Sequence, residues 1–184
     1  NGKVHKDIRY NYGDTEGESN LYDEFGELIY KRTFHRDLLV SYTYKGPDGK
    51  LIAPIEPKKG ESTIVCYFQN GKKSFEAGYS NGELHGRRTI YNSNGKMLED
   101  DYFYYGYQNG DAKTFFSNGN LKELEHYVYG RLDGKSETFY ENGKPRVIGH
   151  YKKGQEHGVF KYFDPSGKII KTVIYYDGDP ISIL

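Results

Sequence analysis

Paired carboxylates, the groups that glycosidases use, come close together at two places in the sequence. The first is Glu99-Asp100-Asp101 and the second is Glu123 with Glu125. Strand alternation would put Glu123 and Glu125 on one face of a sheet, as an acid and its partner require. Both stand beside Lys122, in a polar stretch that follows a turn. The sequence therefore favours an exposed charged face over a catalytic pair.

Histidines are the residues that could bind a metal. His85 and His157 share a Gly-x-x-His-Gly setting, where an imidazole can bond to turn backbone, and His126 and His150 share a second position 24 residues apart. In a sheet with two strands per 24 residues, such positions are roughly 10 Å apart. A zinc ion binds nitrogen at about 2.0–2.1 Å, so one ion does not reach both. We predict no metal site.

The chain has one cysteine, Cys66, between Val65 and Tyr67 in the most apolar segment. That setting predicts a buried and unreactive thiol. No Gly-x-Ser-x-Gly nucleophile elbow and no phosphate-binding loop ahead of a helix occur in the sequence. We therefore predict no catalytic residue, no cofactor and no enzymatic activity.

The elements that must position these side chains are marked by glycines with a period of about 24 residues. Six of the eight glycines of the first set are followed by Lys, and five stand in an Asn-Gly or Asn-x-Gly setting. The set is Gly2, Gly26, Gly49, Gly71, Gly95, Gly119, Gly143 and Gly167. A second set, half a period away, includes Gly82, Gly106, Gly130, Gly154 and Gly178. Asn-Gly is typical of tight hairpin turns that need a positive φ.

Turns roughly every 12 residues predict an all-β fold, an elongated antiparallel β-meander of repeated hairpins with almost no helix. We predict a single domain over residues 1–184. The register breaks once, near residues 51–61, where Pro54 and Pro57 predict an edge, a bulge or a surface loop. The free strand edges at the two ends of such a sheet favour self-association.

Aromatic residues are abundant, with 20 Tyr and 10 Phe, and most of them follow the repeat. One column contains Tyr79, Phe103, Tyr127, Tyr151 and Tyr175, and another ends at Phe163. Outside these columns, alternation predicts that four rings lie on the opposite face, available to bind protein or to stack on sugars. These predicted binding residues are Phe68, Phe116, Tyr140 and Tyr162. The alternative is that twist and neighbouring side chains cover both faces.

The balance of charges disfavours two classes of partner. The chain has 26 basic and 26 acidic residues, interspersed, so nucleic acid and anionic membrane are disfavoured. No apolar stretch approaches the ~20 residues of a transmembrane helix. The sequence begins at Asn1 without an initiator Met, which favours a removed leader and a periplasmic or cell-surface location over the cytoplasm.

The phase Tyr-x-x-Gly-x-x-His/Asn-Gly-x4-Tyr/Phe-x3-Gly-Lys, clearest at residues 79–96 and 151–168, resembles the MORN-repeat variant of bacterial proteins. Repeats of the better-known eukaryotic kind usually have another Gly where this chain has Arg88, Ala112, Ser136 and Phe160. Proteins of the variant group often carry the label of YwqK-like antitoxins, and many are predicted to be secreted or lipid-anchored. The resemblance implies a repeat sheet that acts as a binding scaffold.

Three hypotheses for function remain open. The preferred one is a non-enzymatic scaffold for protein–protein interaction, including the antitoxin-like case. The second is a cell-surface or periplasmic protein that binds glycans through a tyrosine-rich face. The third is an enzyme, which would need a deep pocket with convergent carboxylates.

Overall fold

The structure is a computed structural model that describes residues 6–22 and 26–183. The chain divides into two compact units, Asn1–Gly95 (unit 1) and Lys96–Leu184 (unit 2). Every regular element in the described residues is a β-strand, and successive strands form antiparallel hairpins, so the predicted all-β fold is confirmed. The single domain stays a prediction, and the predicted turn at Gly2 lies outside the described residues.

Unit 1 contains two groups of strands. The first four form a separate sheet in the order β1-β2-β3-β4, and the next three follow one another as a meander. The strands are β1 (Lys6–Asn11), β2 (Asp14–Tyr22), β3 (Leu28–His35), β4 (Leu38–Tyr44), β5 (Glu61–Tyr67), β6 (Lys73–Ser80) and β7 (Glu83–Tyr91).

These two groups of strands share a hydrophobic core. The sequence pattern did not predict this core. The buried residues are Tyr30, Phe34, Leu39 and Tyr42 from β3 and β4, and Ile64, Cys66, Ala77 and Tyr79 from β5 and β6. Arg32 is buried with them, donates from Nη1 to the carbonyl of Gly82 (2.8 Å), and stacks on the rings of Tyr30 and Tyr79. Unit 1 is therefore two packed sheets rather than one open ribbon.

The proline-containing stretch separates the two groups. Residues 51–60 form only isolated bridges, and Ile55 exchanges two backbone hydrogen bonds with Tyr42 of β4 (2.8 and 3.0 Å). Pro54 and Pro57 lack the N–H donors that a continuous strand would use. The stretch lies along the edge of β4, so the chain leaves the first sheet before β5 begins.

Unit 2 is a continuous meander. Its strand order is β17-β16-β15-β13-β12-β11-β10-β8, with the short β9 and β14 paired to β8 and β13. The strands are β8 (Met97–Tyr104), β9 (Tyr107–Gln108), β10 (Gly110–Phe115), β11 (Leu121–Val128), β12 (Arg131–Phe139), β13 (Pro145–Lys152), β14 (Gln155–Glu156), β15 (Gly158–Phe163), β16 (Ile169–Tyr176) and β17 (Asp179–Ile183).

The core of unit 2 is a row of buried residues on one face, here called the inner face. Phe160 and Val173 are a cross-strand pair in this row, on β15 and β16. The ring of Phe160 packs edge-on against Tyr151 (5.5 Å between centroids) and Tyr175 (5.0 Å), and it lies over Gly149. These T-shaped contacts are favourable for aromatic rings. The predicted aromatic column thus contributes to the core here.

The turns at the Asn-Gly positions have the predicted positive φ, and the glycine supplies it. In the described Asn-Gly turns only the glycine has a positive φ, as at Gly71 and Gly143. The Asn instead uses its side chain: Asn142 Oδ1 accepts from the N–H of Lys144 (3.0 Å), and its amide donates to the carbonyl of Pro165 in the next turn (3.0 Å). Lys144 Nζ donates to Ser166 O of that turn (2.6 Å). The recurring Asn and Lys therefore connect neighbouring repeats.

The second set of turns has two positive-φ residues in succession, the signature of type I′ hairpins. In unit 2 these turns are Tyr105-Gly106, Tyr129-Gly130, Lys153-Gly154 and Asp177-Gly178. They close two-residue loops, since the flanking residues pair directly, as Tyr104 does with Tyr107. We call these four turns, with the residues that flank them, the hairpin tips.

Candidate functional site

The hairpin tips of unit 2 are held in one row by backbone hydrogen bonds. In three of the four tips, the N–H of the turn glycine donates to a carbonyl of the preceding repeat. The bonds are Gly130 to Gln108 (2.8 Å), Gly154 to Leu132 (2.7 Å) and Gly178 to Glu156 (2.9 Å). With two strands per repeat, neighbouring tips are about 10 Å apart. Side chains at the tips therefore stand at fixed and regular spacing.

Exposed tyrosines cluster on the first two tips. Tyr105, Tyr107 and Tyr129 are 47%, 59% and 65% exposed. Tyr104 contacts Tyr105 edge-on (4.7 Å between centroids) and lies 6.5 Å from Tyr129 of the next tip. Tyr107 stands beside Gly130. We call Tyr104, Tyr105, Tyr107 and Tyr129 the tip tyrosines.

Two of the tip tyrosines have an unfavourable backbone conformation. Tyr105 and Tyr129 have φ of +44° and +46°. The left-handed region costs an ordinary residue roughly 1–2 kcal/mol and suits Gly, Asn or Asp best. The same turn position holds Asn81 and Asp177 in other repeats. Strained residues cluster at functional sites, so exposed tyrosines at strained positions are candidates for a binding role.

The residues predicted from the sequence lie elsewhere. Phe68, Phe116 and Tyr140 occupy the first position of turns at the opposite ends of the strands, not strand positions, and all three are half-buried. The prediction used strand alternation to place these side chains on one face. Alternation does not apply to them, because they stand in turns. The hydroxyl of Tyr140 donates to the carbonyl of Phe163 (2.7 Å). Their binding role stays a prediction.

The fourth predicted residue, Tyr162, is half-buried in β15. Its hydroxyl lies 3.5 Å from that of Tyr175, and Lys171 Nζ lies 5.5 Å from its ring centroid. Burial and the hydrogen bond to Tyr175 raise the pKa of Tyr162 to about 12. The prediction that Tyr162 faces away from the column of Tyr175 is wrong, because Tyr162, Phe160 and Tyr175 share the inner face. Its binding role also stays a prediction.

Glu123 and Glu125 share one face of β11, as alternation predicted, but both are half-buried rather than exposed. Glu125 accepts a hydrogen bond from the hydroxyl of Tyr127 (2.8 Å). Burial, together with the neighbouring Glu125 carboxylate, raises the pKa of Glu123. Two carboxylates side by side on a partly desolvated face favour protonation of one of them.

An open cleft with a cavity volume of about 1380 Å³ lies in unit 1. Phe68 is in its wall, together with Tyr30 and Phe75. Its lining also contains two carboxylates, and that of Glu27 forms an ion pair with Lys45 (3.2 Å). The predicted binding residues are therefore divided: Phe68 belongs to this cleft and the other three to unit 2.

The predicted environment of Cys66 agrees with the structure. The thiol is buried in the core of unit 1, and burial raises its pKa to about 12. Three of the histidines form pairs with carboxylates: His35 Nδ1 lies 3.0 Å from Glu16 Oε1, His126 Nδ1 lies 2.8 Å from Asp111 Oδ1, and His157 Nδ1 lies 3.2 Å from Asp177 Oδ1. In the residues the structure describes, no three His, Cys, Asp or Glu side chains come together as a metal site.

Sequence reasoning missed the tip tyrosines. Most tyrosines follow the regular columns, and this periodicity does not distinguish the tyrosines that stand in the two-residue turns. The signal was present in Tyr104-Tyr105-Gly106-Tyr107, where the residue before the turn glycine is Tyr in place of the usual Asn or Asp.

Comparison with known proteins gives a match for the regular part of the chain. A family model described as the MORN repeat variant matches residues 84–103, 108–129, 132–153 and 156–177. Tyr104, Tyr105 and Tyr107 fall between the first two matched segments. No curated protein matches the sequence. Among the described residues no helix is long and apolar enough to cross a membrane. Four segments between residues 84 and 177 thus match the MORN repeat variant.

Proposed function

We propose that this chain is a non-enzymatic scaffold that binds another protein through the tip tyrosines. MORN repeats commonly mediate protein or membrane binding. The observation that carries the proposal is the cluster of exposed rings at Tyr104, Tyr105, Tyr107 and Tyr129, two of them at strained positions. Tyrosine is enriched in protein interfaces and among the residues that dominate their binding energy.

The composition of the first tip supports a protein partner. The segment Tyr102–Gly110 contains four tyrosines together with Gly, Gln and Asn, and it has no charged residue. Tyrosine supplies a large contact area at low cost in conformational entropy, and small polar residues supply adaptable hydrogen bonds, as in antibody paratopes. The hydrogen-bonded row of tips holds these rings in place before binding, which lowers the entropic cost of association.

The antitoxin-like case and the glycan-binding alternative both use the tip tyrosines. In the antitoxin-like case the bound protein is a toxin, and the tip tyrosines are the surface that covers it. In the alternative, the exposed ring faces stack on a glycan, an interaction that sugars and tyrosines make readily. A glycan array separates the two: selective binding of a glycan that is lost with the tip tyrosines favours the glycan alternative.

Affinity capture with matched variants tests the proposal. The test variant, Tyr105→Asn with Tyr129→Asn, removes two rings and places Asn where the turn accepts it. The control, Tyr12→Asn, makes the same exchange at a fully exposed turn tyrosine of unit 1, with φ of +51°. A protein recovered in stoichiometric amount by the wild type and by the control, but lost with the double variant, is the expected result. Equal recovery by the double variant contradicts the proposal.

A further inference from the structure

We propose that the tip row of unit 2 binds an extended segment of its partner protein with apolar residues at one end and two or three acidic residues at the other. This inference rests on the proposed function and specifies the chemistry of the partner. It follows from the order of side chains along the row: tyrosines stand on the first two tips, cations on the second and third, and two aspartates beside the exposed Tyr176 on the fourth.

Basic side chains follow the tip tyrosines directly. Arg131 flanks the turn that contains Tyr129, opposite Val128, and Lys152 and Lys153 form the next tip. All three are exposed, and in the described part of the chain none of them forms an ion pair. We call Arg131, Lys152 and Lys153 the basic trio. Exposed cations that form no ion pair with their own chain are available to a partner's carboxylates.

Acidic side chains limit the basic stretch on its far side. The fourth tip contains Asp177 and Asp179, both exposed. Asp177 lies 3.2 Å from the ring nitrogen of His157, and Asp179 has no ion-pair partner among the described residues. A partner segment that continued with acidic residues past the third tip would be repelled. The complementary segment is therefore apolar, then acidic, and not acidic beyond that.

The spacing of the tips sets the length of the segment. Tyr105 and Lys153 are on the first and third tips, two repeats apart, which corresponds to about 20 Å. An extended chain rises about 3.3 Å per residue, so roughly six residues span the distance. This length suits a short linear motif or an exposed strand of a partner rather than a broad domain surface.

Charge complementarity favours a protein segment over nucleic acid or membrane. Three cations bounded by aspartates are fewer than the four to eight basic residues typical of lipid-binding clusters, and each contributes only about 1 kcal/mol at an anionic surface. Nucleic acid offers a continuous line of phosphates, which Asp177 and Asp179 would oppose. Both ligands serve as competing outcomes in the test.

Fluorescence anisotropy with a labelled peptide tests the inference. The probe is Phe-Leu-Phe-Glu-Glu-Glu-amide with a fluorescein label on its N-terminus. Its reversed-order isomer is tested as well, because the direction of the segment is open. A second peptide with Lys in place of Glu is the charge control. We expect one acidic isomer to bind wild-type protein and the Lys peptide not to bind. No binding of either acidic isomer, or equal binding of the Lys peptide, overturns the inference.

Charge reversal at the tips provides the matched comparison. Lys152→Glu with Lys153→Glu is expected to weaken peptide binding roughly tenfold at low salt, and the difference should shrink in 0.5 M salt as charges are screened. Lys58→Glu with Lys59→Glu is the control, because Lys59-Gly60 has the same pair of positive φ values in unit 1 and both lysines are exposed. An equal loss of peptide affinity in the control variant would also overturn the inference. So would tighter binding of single-stranded DNA or anionic vesicles than of the peptide.

The two proposals fail in different ways. A captured partner that is lost with Tyr105→Asn and Tyr129→Asn but kept with Lys152→Glu and Lys153→Glu leaves the proposed function standing and refutes the acidic segment. A captured partner that the tyrosine variant retains refutes the proposed function itself.

Discussion

Tyr105 and Tyr129 are placed where their backbone conformation is unfavourable, and the consequence is measurable. Asn adopts a left-handed φ at lower cost than Tyr and makes fewer contacts at an exposed tip. We predict that Tyr105→Asn and Tyr129→Asn leave the free energy of unfolding unchanged or raise it by up to about 1 kcal/mol each. Urea denaturation followed by circular dichroism measures this. A loss of more than about 1 kcal/mol would show that the rings stabilise the tips and would remove the argument from strain.

Glu123 gives a prediction about pH. Its pKa in the folded protein is raised above the unfolded value by burial and by Glu125. A carboxyl with a raised folded pKa stabilises the fold in acid, below its unfolded pKa, and this contribution is lost as pH rises through the folded pKa. Glu123→Gln should therefore be more stable than wild type at pH 7, and the advantage should disappear near pH 3.5. Urea denaturation at both pH values tests this; an equal difference at the two would contradict it.

At the scale of the elements, the β13–β15 contact depends on a glycine. A side chain at Gly149 would collide with the ring of Phe160, which is itself buried between Tyr151 and Tyr175. We predict that Gly149→Ala lowers the free energy of unfolding by about 1–3 kcal/mol, the usual cost of overpacking a core. In a Phe160→Leu background the cost should fall, because the ring is gone. Full additivity of the two changes in thermal or urea unfolding would show that they do not meet.

The turns at the other ends of the strands explain a sequence preference at the same scale. Lys96 Nζ donates to Asn118 O (2.6 Å), as Lys144 does to Ser166. At residue 120, where the repeat has Asn instead of Lys, the amide donates to Glu141 O (2.8 Å). The recurring Lys is therefore a structural link between adjacent turns, in which a charged donor meets a carbonyl that no strand partner uses.

For the whole molecule, the sequence predicted the hairpins well because their signals are local. The 24-residue period places the turn glycines of β8 to β17, and a glycine with positive φ occupies each such turn. The packing of β1–β4 on β5–β7 was not predicted, because it depends on contacts between distant residues such as Arg32 and Gly82. The 45-residue interval between Gly26 and Gly71 indicated the break in the repeat. It did not indicate that the strands on the two sides of the break pack against each other.

The candidate site was harder to predict than the fold. Strand alternation assigned Phe116 and Tyr140 to a face, although both stand in turns. It also placed Tyr162 opposite Tyr175, whereas the two hydroxyls meet. Alternation holds only inside strands and must be counted from true strand ends, which glycine spacing fixes to within a few residues. The exposure of the tip tyrosines follows from the type I′ geometry of their turns, which becomes visible only with the φ values.

The measurement that tests the central claim most directly is site-specific photo-crosslinking. The photoreactive residue p-benzoylphenylalanine would replace Tyr105 at a tip or Asn118 in an exposed turn at the opposite ends of the strands. After irradiation in lysate, we predict that the same partner protein is crosslinked from position 105 and not from position 118. A partner crosslinked from position 118 and absent at position 105 would contradict the claim that the tip tyrosines bind the partner protein.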